Sequence, residues 1–200
     1  LLAQTEQTVD KIIHALFQKA FSVAKLVRTQ TTIGAGKVSV SSVAVDLAVS
    51  IFKDLAGKTV MVVGSGEMAE LTLKSLVDHG ACGVLVANRH AERAQKLADA
   101  YGGETVDYER LRENLPRADI VISTTAAPRT ILHAPDFVQA LKQREQNPML
   151  VIDIAVPRDV DADVGDLDNV YLYNVDNLEQ VVNENLETRR KELDAALAIV

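Results

Sequence analysis

The chain has 200 residues, 48% of them hydrophobic and 24% charged, which fits one large domain or one domain with helical appendages and excludes disorder and collagen-like repeats. A single cysteine, Cys82, excludes an internal disulfide framework and a multi-cysteine zinc site. The net charge of -7 is uneven: residues 1–58 carry 7 Lys/Arg against 4 Asp/Glu, and residues 59–200 carry 14 against 24. An acidic body is not the main gripping surface for a nucleic acid, because phosphate neutralisation needs clustered Lys and Arg.

No apolar run approaches the ~20 residues of a membrane span and nothing resembles a signal peptide, so the expected location is the cytoplasm. The chain starts at Leu1 and stops in the apolar run AALAIV, so both ends read as cuts through a longer protein.

From Thr8 to about Val27 the apolar residues Val9, Ile12, Ile13, Leu16, Phe17, Ala20, Phe21, Ala24 and Val27 recur every three or four positions. That spacing predicts an amphipathic helix with one wide apolar face. TTIGAGK, residues 31–37, breaks the period, and VSVSSVAVDLAVSIF then reads as a short extended piece over Val38–Ser42 running into a second helix. From Lys58 onward, short β-branched runs alternate with helical patterns. Strands are expected at 59–63, 83–87, 119–123, 149–156 and 170–173, with a weaker one at 104–106. Helices are expected at 67–79, 91–101, 108–114 and 135–144, and a long exposed one after Asn174 with Asp176 as N-cap. Apolar strands separated by helices mean a parallel sheet covered on both faces, so the fold class is α/β: a doubly wound Rossmann-type sheet with an N-terminal helical segment and a long C-terminal helix.

The first strand runs into Gly64-Ser65-Gly66-Glu67-Met68-Ala69, a G-x-G-x-x-A turn opening a helix. Gly64 permits the tight turn, Gly66 lets a pyrophosphate approach the backbone, and Ala69 lets the helix sit close to the strand. The helix start offers free N–H groups to phosphate. The Glu67 side chain is expected to point away from that charge. The second strand ends in Asn88 and Arg89, with Arg93 a helical turn later, where an NAD-binding protein usually places an acidic residue. A neutral amide among arginines favours a 2′-phosphate, hence NADPH. The alternatives are that Asn88 caps the following helix, and that Arg89 and Arg93 are surface residues near Glu92.

Two further strand ends fall on the same edge of the sheet. The fourth strand gives Ser123 and Thr124, small hydroxyl residues that let a nicotinamide ribose approach. The fifth gives Asp153 and Ala155, followed by Arg158. Asp153 and Arg158 either orient a nicotinamide or meet a neighbouring domain, or they form a structural turn or salt bridge. His14, His79, His90 and His133 lack metal-ligand spacing, and Cys82 has no basic neighbour within three positions, so no metal ligand and no catalytic residue is assigned.

The stretches LFQKAFSVAKLVRT (16–29), IGAGKVSVSSVAVDLA (33–48), VVGSGEMAE (62–70), VANRHAERAQKLA (86–98), ADIVISTTAAP (118–128), IDIAVPRDVD (152–161) and VYLYNVDNLEQVVNEN (170–185) together resemble glutamyl-tRNA reductase. One departure is VRTQTTIG, where that family more often has VRTET-x-IG. The resemblance implies a three-part enzyme of tetrapyrrole and heme synthesis. An N-terminal domain carries a cysteine that takes the glutamyl group from glutamyl-tRNA as a thioester. An NADP domain then supplies hydride to release glutamate-1-semialdehyde, and a spacer helix leads to a dimerisation domain. Residues 1–50 would then end the catalytic domain, 51–174 form the NADP domain, and 175–200 begin the spacer helix. The nucleophilic cysteine would lie upstream of Leu1, since Cys82 does not match its context. Implied partners are glutamyl-tRNA, an aminomutase that collects the aldehyde, and a second copy in a homodimer. The competing readings are a shikimate-dehydrogenase-like NADP oxidoreductase, which shares the Asn-Arg ending, and a non-catalytic nucleotide-binding module.

Overall fold

The computed structural model describes residues 11–31 and 39–199. The chain divides into two compact units, one of residues Ser39–Val181 and the other of the residues on either side of it. In the second of these units, helix α1 (Lys11–Gln30) carries the apolar spacing seen in the sequence, and Ile12, Leu16, Phe17 and Phe21 on it are more than half exposed. The start of the predicted helix and most of the glycine-containing break lie outside the described residues.

The central unit contains α2 (Val40–Phe52), β1 (Thr59–Gly64), α3 (Glu67–Asp78), β2 (Gly83–Ala87), α4 (Ala91–Ala100), β3 (Glu104–Val106), α5 (Leu111–Asn114), β4 (Ile120–Thr124), α6 (Ala134–Gln143), β5 (Met149–Asp153) and β6 (Val170–Asn174). Helix α7 (Val175–Lys191) follows β6 directly, and α8 (Leu193–Leu197) follows α7. The strands form one parallel sheet in the order β3-β2-β1-β4-β5-β6. This is the doubly wound arrangement, whose strand order reverses between β1 and β4. The continuous Val/Ile/Leu runs are explained by burial on both faces. Met61, Val63, Leu85, Val121 and Val151 join Phe137 and Leu141 of α6 on one side. The alternate residues Val60, Val62, Ile120 and Ile122 are also fully buried, with α3 packed on β1 and β4.

Four local readings are corrected. Helix α2 starts at Val40 because Ser39 and Ser42 form a reciprocal capping box, so the extended reading of Val38–Ser42 gives way, over its described residues from Ser39 on, to a cap worth about 1 kcal/mol. That helix packs on α3 and β5, within the compact unit that begins at Ser39. Strand β5 ends at Asp153 and not at Val156, since the Asp153 carboxylate accepts the N–H groups of Ala155, Asp159 and Val160 and turns the chain. Helix α7 is capped by Asn174, which exchanges backbone and side-chain hydrogen bonds with Asn177, so Asp176 lies in the first turn. The expected helix at 108–114 is a short α5 between two 3-10 turns, Tyr108–Arg110 and Leu115–Arg117.

Candidate functional site

Parallel pairing brings the carboxyl ends of β1, β2 and β4 to one edge: Val63 pairs with Ala87 and Gly64 with Thr124. Loops leaving β1 and β4 part at this point, and the crevice between them is where open α/β sheets take ligands. A cleft of about 310 Å³ lies there, lined by Gly64, Ser65 and Gly66 from the first turn, Asn88, Arg89, His90 and Arg93 from the second, and Tyr108, Thr124, Thr125 and Ala126.

Gly64 has φ +104°, a conformation that side chains rarely adopt, and a Cβ on it would stand 2.5 Å from the Thr124 carbonyl oxygen. Glycine is therefore required by the turn and by β4. Gly66 is the N-cap of α3 and supplies no side-chain cap, so the first-turn N–H groups of that helix remain available to an anion. An uncapped helix start behind a glycine turn fits the phosphates of a dinucleotide. Glu67 is exposed and, as expected, does not line the cleft; Met68 is also exposed and outside it. Ala69 is fully buried and serves the close packing of α3. Among the motif residues, then, only Gly64, Ser65 and Gly66 face the cleft.

Asn88 bridges the two turns. Its Nδ2 donates to Ser65 Oγ at 2.8 Å, and its Oδ1 accepts the His90 N–H at 2.9 Å. It is not the N-cap of α4, a position that His90 holds without a side-chain bond. Arg89 and Arg93 are exposed, and neither pairs with Glu92 or any other described carboxylate. The Arg89 guanidinium lies over the Tyr108 ring, 5.4 Å from its centroid. Among the described residues no carboxylate lines the cleft.

Ser123, Asp153 and Ala155, expected at the nicotinamide edge, are buried behind it at 0%, 1% and 3% exposure. Ser123 Oγ donates to Asp159 Oδ2 at 2.7 Å, and the Ala155 N–H donates to Asp153. Asp159 also accepts the N–H and hydroxyl of Thr125, and thereby fixes the loop that forms one wall of the cleft. Asp153 holds the loop after β5, and burial raises its pKa above the ordinary carboxylate value against the pull of its backbone donors. These residues are a buried frame. Arg158 pairs with Asp176 at the surface, 3.2 Å away, as the salt-bridge alternative supposed. Sequence reasoning missed His90, Tyr108, Thr125, Ala126 and Asp159. The first, third and fourth adjoin motifs that were read, whereas Tyr108 follows a three-residue strand and carried no local signal.

The resemblance carried by the motifs extends along the chain. It is 50% identical over 189 residues to a glutamyl-tRNA reductase of Trichlorobacter lovleyi, an alignment covering 94% of this chain and 44% of that protein. The structure is similar to that of glutamyl-tRNA reductase from Methanopyrus kandleri, with a TM-score of 0.85 and 43% identity over 98% of this chain and 50% of the other. A nucleotide-binding domain of glutamyl-tRNA reductase from Thermoplasma volcanium shares the fold, with a TM-score of 0.61 and 20% identity over 78% of this chain and 99% of that one. The chain thus spans 44% of the length of the curated relative. Residues 46–181 match the family described as Shikimate / quinate 5-dehydrogenase, and the chain belongs to that family.

Proposed function

We propose that this chain is the NADPH-binding part of a glutamyl-tRNA reductase, which reduces the glutamyl group of glutamyl-tRNA to glutamate-1-semialdehyde for tetrapyrrole synthesis. The observation that carries the coenzyme choice is a cleft with Arg89, His90 and Arg93 on one wall, the open start of α3 on the other, and no carboxylate between them. The helix start receives the pyrophosphate through backbone N–H groups. Asn88 ties Ser65 to the second loop, and Arg89 and Arg93 offer charge-assisted hydrogen bonds to a 2′-phosphate. A coenzyme held there would supply hydride to an acyl carbon. The Asp153 and Asp159 frame holds the β4 and β5 loops at the edge where that carbon approaches.

Half identity along nearly the whole chain to glutamyl-tRNA reductases favours this reading over a shikimate-dehydrogenase-like oxidoreductase. The division into residues 1–50 of a catalytic domain, 51–174 of a coenzyme domain and 175–200 of a spacer helix belongs to the same proposal, with the α2 segment packed on the coenzyme domain. So do glutamyl-tRNA as substrate, a homodimer, an aminomutase that takes the aldehyde, and a cytoplasmic location. Among the described residues no helix is long and apolar enough to cross a membrane.

The test is a titration of the protein with NADPH and NADH at fixed salt, in wild type and Arg89→Ala. NADPH should bind more tightly, and the substitution should weaken NADPH about ten- to a hundredfold while leaving NADH nearly unchanged. Equal affinity of the wild type for both coenzymes would overturn the assignment of NADPH.

A further inference from the structure

We propose that Tyr108 is a specificity-determining positioning residue for the coenzyme: its ring is a platform that holds the Arg89 guanidinium on the cleft side, where a 2′-phosphate would be read. The inference rests on the NADPH reading above and adds to it a residue that touches the reader rather than the phosphate.

Register is the first reason. Ala87 and Val106 are paired across β2 and β3, and Arg89 and Tyr108 each stand two residues beyond that pair. Two loops leaving adjacent parallel strands in step bring these side chains together, with the guanidinium 5.4 Å from the ring centroid. That distance lies within cation–π range. The platform is itself fixed from below. Val106 is buried, Tyr108 packs against the core containing Val106 and Leu111, and Asp107 caps the turn after β3 by accepting the Glu109 N–H at 3.0 Å.

The second reason is a rival place for Arg89 to go. Arg89 and Tyr108 line not only the cleft of about 310 Å³ but also a second groove of about 610 Å³ on the β3 side, whose lining includes Asp107 and Glu109. An arginine on its flexible stem, exposed and without a salt bridge to a described residue, would be drawn toward those carboxylates. Tyr108 borders both spaces, and its contact with the guanidinium favours the cleft.

The phenol oxygen has no part in this. It is buried and has no hydrogen-bond partner among the described residues, so the face of the ring, and not its polar tip, is the working feature. Phenylalanine therefore keeps the function, whereas an aliphatic side chain of similar bulk loses it.

The experiment titrates wild type, Tyr108→Phe, Tyr108→Leu and Tyr108→Met with NADPH and NADH, with thermal unfolding of each variant recorded alongside. Methionine fills irregular space without a ring, which provides a second aliphatic variant if leucine packs badly. Tyr108→Phe should keep the wild-type preference. Tyr108→Leu and Tyr108→Met should weaken NADPH by about two- to fivefold and leave NADH within twofold. The double variant carrying Tyr108→Leu and Arg89→Ala should lose no more NADPH affinity than Arg89→Ala alone, whereas independent effects would add, because the ring acts through the arginine. An unchanged preference in both aliphatic variants, an equal loss for both coenzymes, or a phenylalanine variant as impaired as leucine would each overturn the platform. A wild type with no preference for NADPH would instead defeat the reading on which the platform rests.

Discussion

Thr124 Oγ1 lies 2.6 Å from the point at which a Cβ on Gly66 would stand, so the second glycine of the phosphate turn is demanded by the neighbouring strand as well as by any ligand. The obstructing atom is a side-chain tip on β4 that can turn away at the cost of an unfavourable rotamer. Gly66→Ala should therefore destabilise the fold by about 1 kcal/mol, and Thr124→Ala in the same chain should restore most of it. Denaturant unfolding of the four combinations reads the coupling, and additive effects would show that the two residues do not interfere. If coenzyme binding stays weak in the restored double variant, the gap at Gly66 serves the pyrophosphate too.

How much of this was legible in the sequence follows from which features are local. Strands β1, β2 and β4 were readable because burial on both faces leaves unbroken apolar runs, the edge strand β6 because Val170 and Leu172 alternate with tyrosines, and the phosphate turn because its glycines fall between such a run and a helix. The overrun of β5 was not avoidable by pattern: Ile154, Ala155 and Val156 continue the apolar run, and what stops the strand is a carboxylate reaching donors six and seven residues ahead. Parity decided the other misreading. Ser123 and Thr124 are both small hydroxyl residues at a strand end, but neighbours point to opposite faces, and only Thr124 meets the cleft. Tyr108 was invisible because its value depends on β3 lying beside β2, a non-local fact.

Asn88 provides a clean test of coenzyme choice. An aspartate there could still accept the His90 N–H and could take a hydrogen bond from the Ser65 hydroxyl, so the link between the two loops survives Asn88→Asp. What changes is a negative charge beside the proposed 2′-phosphate. NADPH should weaken by about tenfold or more while NADH holds or gains, as an acidic side chain can accept from the ribose hydroxyls. Parallel titrations at fixed salt measure it, and an unaltered ratio would place the phosphate away from this loop.

Cys82 is the only cysteine of the chain and is exposed, yet it precedes β2 at the edge opposite the cleft. The five residues of that strand put roughly 15 Å between the thiol and the crevice. Cys82→Ser should leave coenzyme affinity and any semialdehyde formation by the protein unchanged. A loss of acyl transfer with the fold intact would reassign this thiol as the nucleophile.

Asp153 makes a prediction about pH. Burial first, and then the Asp159 carboxylate, hold its proton more tightly in the folded chain than in the unfolded one, while backbone N–H groups from Val160, Ala155 and Asp159 oppose them. A raised folded pKa means that this group's contribution to stability is complete below the ordinary aspartate value, near about 3.9, and is lost as pH rises through the folded value. In Asp153→Asn an amide has one accepting oxygen for donors that now reach both carboxylate oxygens, so at least one N–H is left facing an NH2 group. The variant should be less stable by about 1–3 kcal/mol. Because the amide does not titrate, the gap between wild type and variant should be widest in acid and narrow as pH rises past the aspartate range. Denaturant unfolding of both proteins from pH 3.5 to 8 follows the gap; a difference that is constant with pH, or one that widens in the basic direction, would show that burial does not raise the Asp153 pKa.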